Sequence, residues 1–67
     1  MRHKEVKTTS SLEERIDFEV ALQRFKSLFN MGLELGVSES SLYKYRNGYE
    51  QGLKIKNKIT NKIKELV

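Results

Sequence analysis

Apolar residues recur at helical spacing from Phe18 onward. Phe18, Ala21, Leu22, Phe25, Leu28, Phe29, Gly32 and Leu33 fall at i, i+3, i+4 and i+7 intervals, and no proline interrupts them. The run predicts either one helix over about 12–35 or two helices with a corner near Ser27, the residue in it best suited to cap a new helix. Upstream, Ser10 with Glu13 and Ser11 with Glu14 form overlapping capping boxes, so the first helix should begin near Leu12.

The next break is sharper. Gly36 tolerates the positive φ that follows a helix, Ser38 is placed to cap the next one, and Glu39 puts a negative charge in its first turn. Asn47-Gly48 is a stop signal, with Tyr49 placed to cover it. Farther on, Ile55, Ile59, Ile63 and Leu66 fall within about 80° of arc and make a narrow apolar stripe bordered by lysines. Four helices are expected, at about 11–26, 27–35, 38–47 and 53–66. With no strand signal, the fold class is a small all-α domain over residues 10–67. Residues 1–9 contain only Met1 and Val6 as apolar members and read as a flexible basic arm.

Two helices joined by Gly36-Val37-Ser38 can pack steeply only if they approach closely. Gly32 supplies the small residue, while Met31, Leu35, Val37, Leu42 and Tyr45 supply apolar contacts, an arrangement typical of a helix-turn-helix. The stretch "SLFNMGLELGVS" followed by "ESSLYKYRNG", residues 27–48, resembles the helix-turn-helix of the lambda-repressor and Cro-like family. That family has a capping Ser or Thr, a small residue, a leucine, Gly-Val-Ser, then Leu and a second apolar residue, with Asn-Gly often closing the helix. The resemblance implies a break at Ser27 and a DNA-binding role for the helix after the turn. Two departures stand out. Gly32 replaces the usual alanine and loses roughly 1 kcal/mol of helix propensity. Leu28 and Phe29 occupy places the family usually keeps polar, so no phosphate role carries over to them; they suit the core or a dimer contact.

With Leu42 and Tyr45 buried, helical geometry turns Ser40, Tyr43, Lys44 and Asn47 outward. In a major groove Ser40 and Asn47 are candidates for base edges, Lys44 for guanine or phosphate, and Tyr43 for a thymine methyl or a phosphate. Arg46 lies on a flank better suited to phosphate, and Lys54 and Lys56 are the phosphate candidates of the last helix. Glu39 reads as a dipole partner.

Charge changes the picture by its distribution. Residues 1–8 sum to +2, residues 9–37 to −2 and residues 38–67 to +4. A basic second half suits a polyanion. A minor-groove role for the arm, which carries His3, is the alternative to a disordered one. A chain of 67 residues buries only about 60% of its unfolded surface. There is no cysteine and a single histidine, no nucleophile–base pair and no Gly-rich phosphate loop, so no enzyme, metal or cofactor is implied. No apolar run approaches a membrane span, which makes the cytoplasm the default.

The expected function is therefore a small sequence-specific DNA-binding regulator. It would be a repressor of phage or plasmid type that binds double-stranded DNA at a near-palindromic operator as a homodimer. The competing expectation is a protein-interaction module that keeps the architecture without reading DNA. Its partner would dock through Leu28, Phe29 or the Ile55/Ile59/Ile63 stripe.

Overall fold

The computed structural model describes residues 6–67. His3 and most of the expected arm lie outside the described residues. Four helices, α1 (Leu12–Leu22), α2 (Leu28–Leu35), α3 (Glu39–Asn47) and α4 (Leu53–Leu66), are joined by short turns. A two-stranded antiparallel ribbon joins β1 (Lys7–Thr8) to β2 (Gln51–Gly52), with Lys7 opposite Gly52 and Thr8 opposite Gln51. The domain is all-α apart from this ribbon.

Local chemistry sets most of the boundaries. Of the two candidate capping boxes, Ser11 with Glu14 is used: the Glu14 amide donates to Ser11 Oγ at 3.1 Å and the Ser11 amide to Glu14 Oε1 at 2.8 Å. Ser10 turns inward instead, buried, its hydroxyl donating to the Tyr45 carbonyl. Ser27 caps α2 by accepting from the Asn30 amide at 3.2 Å, so residues 12–35 form two helices. The first of them ends at Leu22 rather than Lys26. Beyond it the Arg24 and Phe25 amides close tight turns on the Ala21 and Leu22 carbonyls.

α2 ends on Gly36 at φ 72° and α3 on Gly48 at φ 74°, the two left-handed residues of the described chain. After α3 the Tyr49 amide donates to the Lys44 carbonyl at 2.9 Å and the Gly48 amide to that of Tyr45, a Schellman close.

The core is Phe18, Ala21, Met31, Leu35, Leu42, Tyr45, Ile59 and Ile63, with Leu22, Phe25, Leu28, Val37, Ile55 and Leu66 packed against it. The Phe18 and Tyr45 rings stack with centroids 5.4 Å apart. Two expectations are corrected here. Lys7 and Thr8 are strand, because β2 leaves α3 with free edge groups that β1 satisfies. The isoleucine stripe is not open to a partner, because Ile59 and Ile63 are core and Ile55 packs against it. Among the described residues no helix is long and apolar enough to cross a membrane.

A polar network ties the helices together under this core. Glu14 Oε2 accepts from Lys56 Nζ at 2.6 Å and lies 3.4 Å from Thr60 Oγ1, which in turn meets the Tyr45 hydroxyl at 2.8 Å. Burial pushes the Glu14 carboxyl upward, but the hydrogen bonds from Lys56 and the Ser11 amide, with the Lys56 charge, outweigh it and leave the pKa lowered. Burial pushes the Tyr45 hydroxyl up, with help from the negative charges of Glu14 and Asp17 and against the Thr60 hydrogen bond.

Candidate nucleic-acid interface

The turn between α2 and α3 is as close as its residues suggest. A Cβ built on Gly32 would stand 2.7 Å from the Val37 carbonyl oxygen, nearer than real Cβ contacts come. Glycine is needed there because the backbone of the turn runs over it. Leu35, Leu42 and Tyr45 are buried and Val37 is half-buried beneath the corner. Lys58 adds a support not apparent in the sequence: its ammonium donates to the Gly36 carbonyl at 2.9 Å and holds the turn to α4. At the other end of the corner Ser38 Oγ accepts from the Ser41 amide at 3.2 Å, which fixes the start of α3.

A helix fixed at both ends presents its outer face in a defined direction. Ser40, Tyr43, Lys44 and Asn47 are all exposed on that face. Tyr43 is 51% exposed, and its ring lies beside Tyr49, 54% exposed, with centroids 5.9 Å apart. Tyr49 thus covers the end of α3 by packing on Tyr43. The Asn47 amide donates one hydrogen to the Tyr43 carbonyl at 2.9 Å, which orients the side chain and leaves its other polar groups without a partner among the described residues.

The flanking cations behave differently from one another. Arg46 is held by Glu19, its Nε 2.7 Å and its Nη2 3.4 Å from the two carboxylate oxygens, with both side chains roughly half exposed. Lys56 is corrected: it faces α1, is largely buried, and its ammonium is bound to Glu14, so it is not a phosphate ligand. Lys54 is exposed on the first turn of α4. Glu39 stands in the first turn of α3, as a dipole partner should.

Among the described residues, α1 and α2 each carry an exposed apolar row. Phe29 and Leu33, on one edge of α2, are 57% and 68% exposed and border a shallow groove of about 320 Å³ against Gly32, Gly36 and Val37. Leu28, expected with Phe29 in the core or at a dimer contact, packs against the core. On α1, Leu12, Ile16 and Val20 are exposed at four-residue intervals, opposite the face that buries Phe18 and Ala21. This row was missed in the sequence because the stronger period of Phe18, Ala21 and Leu22 runs through the same segment.

No family model, no curated protein and no solved structure matches the chain. Any functional reading rests on the residues themselves.

Proposed function

We propose that the protein is a sequence-specific DNA-binding regulator whose α3 enters the major groove. The observation that carries this reading is the outer face of α3. Ser40, Tyr43, Lys44 and Asn47 are exposed together on a helix capped at both ends, beside a corner whose close approach depends on Gly32. Hydroxyl, amide, ammonium and aromatic groups on one rigid face suit base edges and phosphates.

In this reading Ser40 and Asn47 meet base edges, Lys44 a guanine or phosphate, and Tyr43 a thymine methyl or a phosphate. Arg46 and Lys54 meet the backbone. A homodimer would present two such helices about one DNA turn, roughly 34 Å, apart and bind a near-palindromic site. Occlusion of a promoter in a phage or plasmid is the simplest use, in the cytoplasm.

Selection from a random duplex library tests it. Recovery of one motif, with binding weakened by Ser40→Ala, Tyr43→Ala or Asn47→Ala, is the expected result. Weak binding to every duplex with a steep salt dependence and no motif rejects sequence-specific regulation. Sedimentation equilibrium tests the dimer. A chain that stays monomeric at concentrations that saturate DNA removes the two-fold operator.

A second reading is favoured by the uncovered apolar rows on α1 and α2. It makes the protein an interaction module with a helix-turn-helix frame. Partner binding that survives Tyr43→Ala and Lys44→Ala but is lost on Phe29→Glu supports it over DNA recognition.

A further inference from the structure

Beside the outer face of α3, on the flank away from Arg46, the β1–β2 ribbon, α3 and Ile55 of α4 border an open cleft of about 270 Å³. Lys7 of β1 lines it with Ser41 and Lys44 of α3, Gln51 of β2 and Glu50. Lys7 and Lys44 are both exposed, so the cleft opens to solvent beside two lysines. Gln51 is buried to 6% exposure, and neither its Oε1 nor its Nε2 has a hydrogen-bond partner among the described residues. A buried amide without a partner is costly, and most such groups in proteins are satisfied. A sealed carboxamide at the margin of a lysine-lined cleft is a group waiting for an acceptor.

We propose that this cleft seats one phosphate of a nucleic-acid backbone, held by Lys7, Lys44, the Ser41 hydroxyl and the Gln51 amide once it turns toward the cleft. The nature of the occupant rests on the DNA-binding reading above. A helix lying in the major groove has a phosphate strand along each flank, and Lys44 belongs both to the outer face and to this cleft. Two ammonium groups exceed the one carboxylate of Glu50, so the local charge favours an anion. Lys7 thereby gains a role that composition alone did not assign. The ribbon holds it by pairing with the segment that leaves α3.

The test is the salt dependence of duplex binding. Each neutralised phosphate contributes about −0.9 to the slope of log K against log salt. Lys7→Gln is expected to make the slope shallower by about that amount and to weaken all duplexes alike. Its affinity should fall between 50 and 200 mM salt by roughly threefold less than that of the wild type. Lys62→Gln, on the exposed side of α4, serves as the control with an unchanged slope. A wild type that binds duplex with a slope untouched by Lys7→Gln overturns the cleft and leaves the DNA reading standing.

Titration of inorganic phosphate, followed by nitrogen-15 NMR, supplies the arm that does not need DNA. The Gln51 side-chain amide and the amides of Lys7, Ser41 and Lys44 are expected to shift together and saturate. Shifts spread evenly over the lysines of α4 mean an adventitious ion only and overturn the proposal. Saturation here by phosphate with no binding of any duplex rejects the DNA reading, and with it the nucleic-acid occupant. Gln51→Leu gives a further check, because it removes an unsatisfied amide. The expected result is a higher urea midpoint for the free protein together with weaker duplex binding. Unchanged duplex affinity in this variant overturns the part assigned to Gln51.

Discussion

The Lys56 ammonium donates to the Glu14 carboxylate across 2.6 Å and joins the first turn of α1 to the start of α4. Both side chains are largely buried, at 15% and 23% exposure, so the pair is shielded from the screening that weakens surface ion pairs. Lys56→Met leaves the carboxylate without its cation and should cost about 1–3 kcal/mol, read as a lower urea midpoint. A loss no larger than that of an exposed pair would show that solvent takes over the role of Lys56.

The same carboxylate sets an acid limb. Glu14 has a lowered pKa in the folded protein, so its contribution is complete above the unfolded value, about 4.5, and is lost as the pH falls through the folded value. Thermal unfolding of Glu14→Gln from pH 6 to pH 2.5 should therefore be less pH-dependent than that of the wild type, from a lower starting stability. Parallel curves would place the acid sensitivity elsewhere.

At the alkaline end the sign reverses. Tyr45 has a raised pKa, so its contribution is complete below the unfolded value, about 10, and is lost as the pH rises through the folded one. Tyr45→Phe keeps the ring stacked on Phe18 and loses the hydroxyl contact to Thr60, a cost of about 0.5–1.5 kcal/mol at pH 7. The variant should recover part of that deficit, relative to wild type, above pH 10. Unfolding followed by circular dichroism measures both quantities.

Gly32→Ala separates two opposing effects. Helix propensity alone favours alanine by roughly 1 kcal/mol. The added methyl would stand 2.7 Å from the Val37 carbonyl, and forced overpacking typically costs about 1–3 kcal/mol. Backbone rather than a flexible side chain must yield, so the variant should be less stable than wild type. A raised melting temperature would mean that the turn relaxes freely.

Glu19→Gln releases Arg46. The pair is exposed on both sides, and its loss should change stability by less than about 1 kcal/mol. If α3 binds DNA as proposed, Arg46 no longer has to leave Glu19 to reach a phosphate, so duplex binding strengthens with little change in the salt slope. An unchanged affinity would place Arg46 away from the phosphates.

What the sequence reveals is what short-range chemistry decides. Ser11, Ser27 and Ser38 each bind an amide three residues ahead, and Gly36 and Gly48 adopt the left-handed turn, so caps and corners were legible. The inward set of α4 followed from period alone, and that of α3 from the apolar contacts a corner so close requires. The end of α1 was obscured because Phe25 reaches the core from a turn, in phase with a helix that has already stopped. The ribbon was invisible because two residues carry no alternation; it exists only where the exit from α3 offers an edge. The partners of Lys56 and Arg46 were equally hidden, since each lies on another helix. Among the proposed contact residues, the outward side of α3 was legible and the cleft beside it was not.

The bond from Ser10 to the Tyr45 carbonyl spans 35 positions, and those from Lys56 and Thr60 to Glu14 span 42 and 46. Closing such loops precedes any gain from the contacts they make, so the domain should fold more slowly than a helical bundle built from neighbouring pairs. It also means that the fastenings through Ser10 and Glu14 are shared between the halves, while the Tyr45–Thr60 bond lies within the second. A chain cut in the turn after α2 should give two fragments that are unstructured apart and regain helix only when mixed.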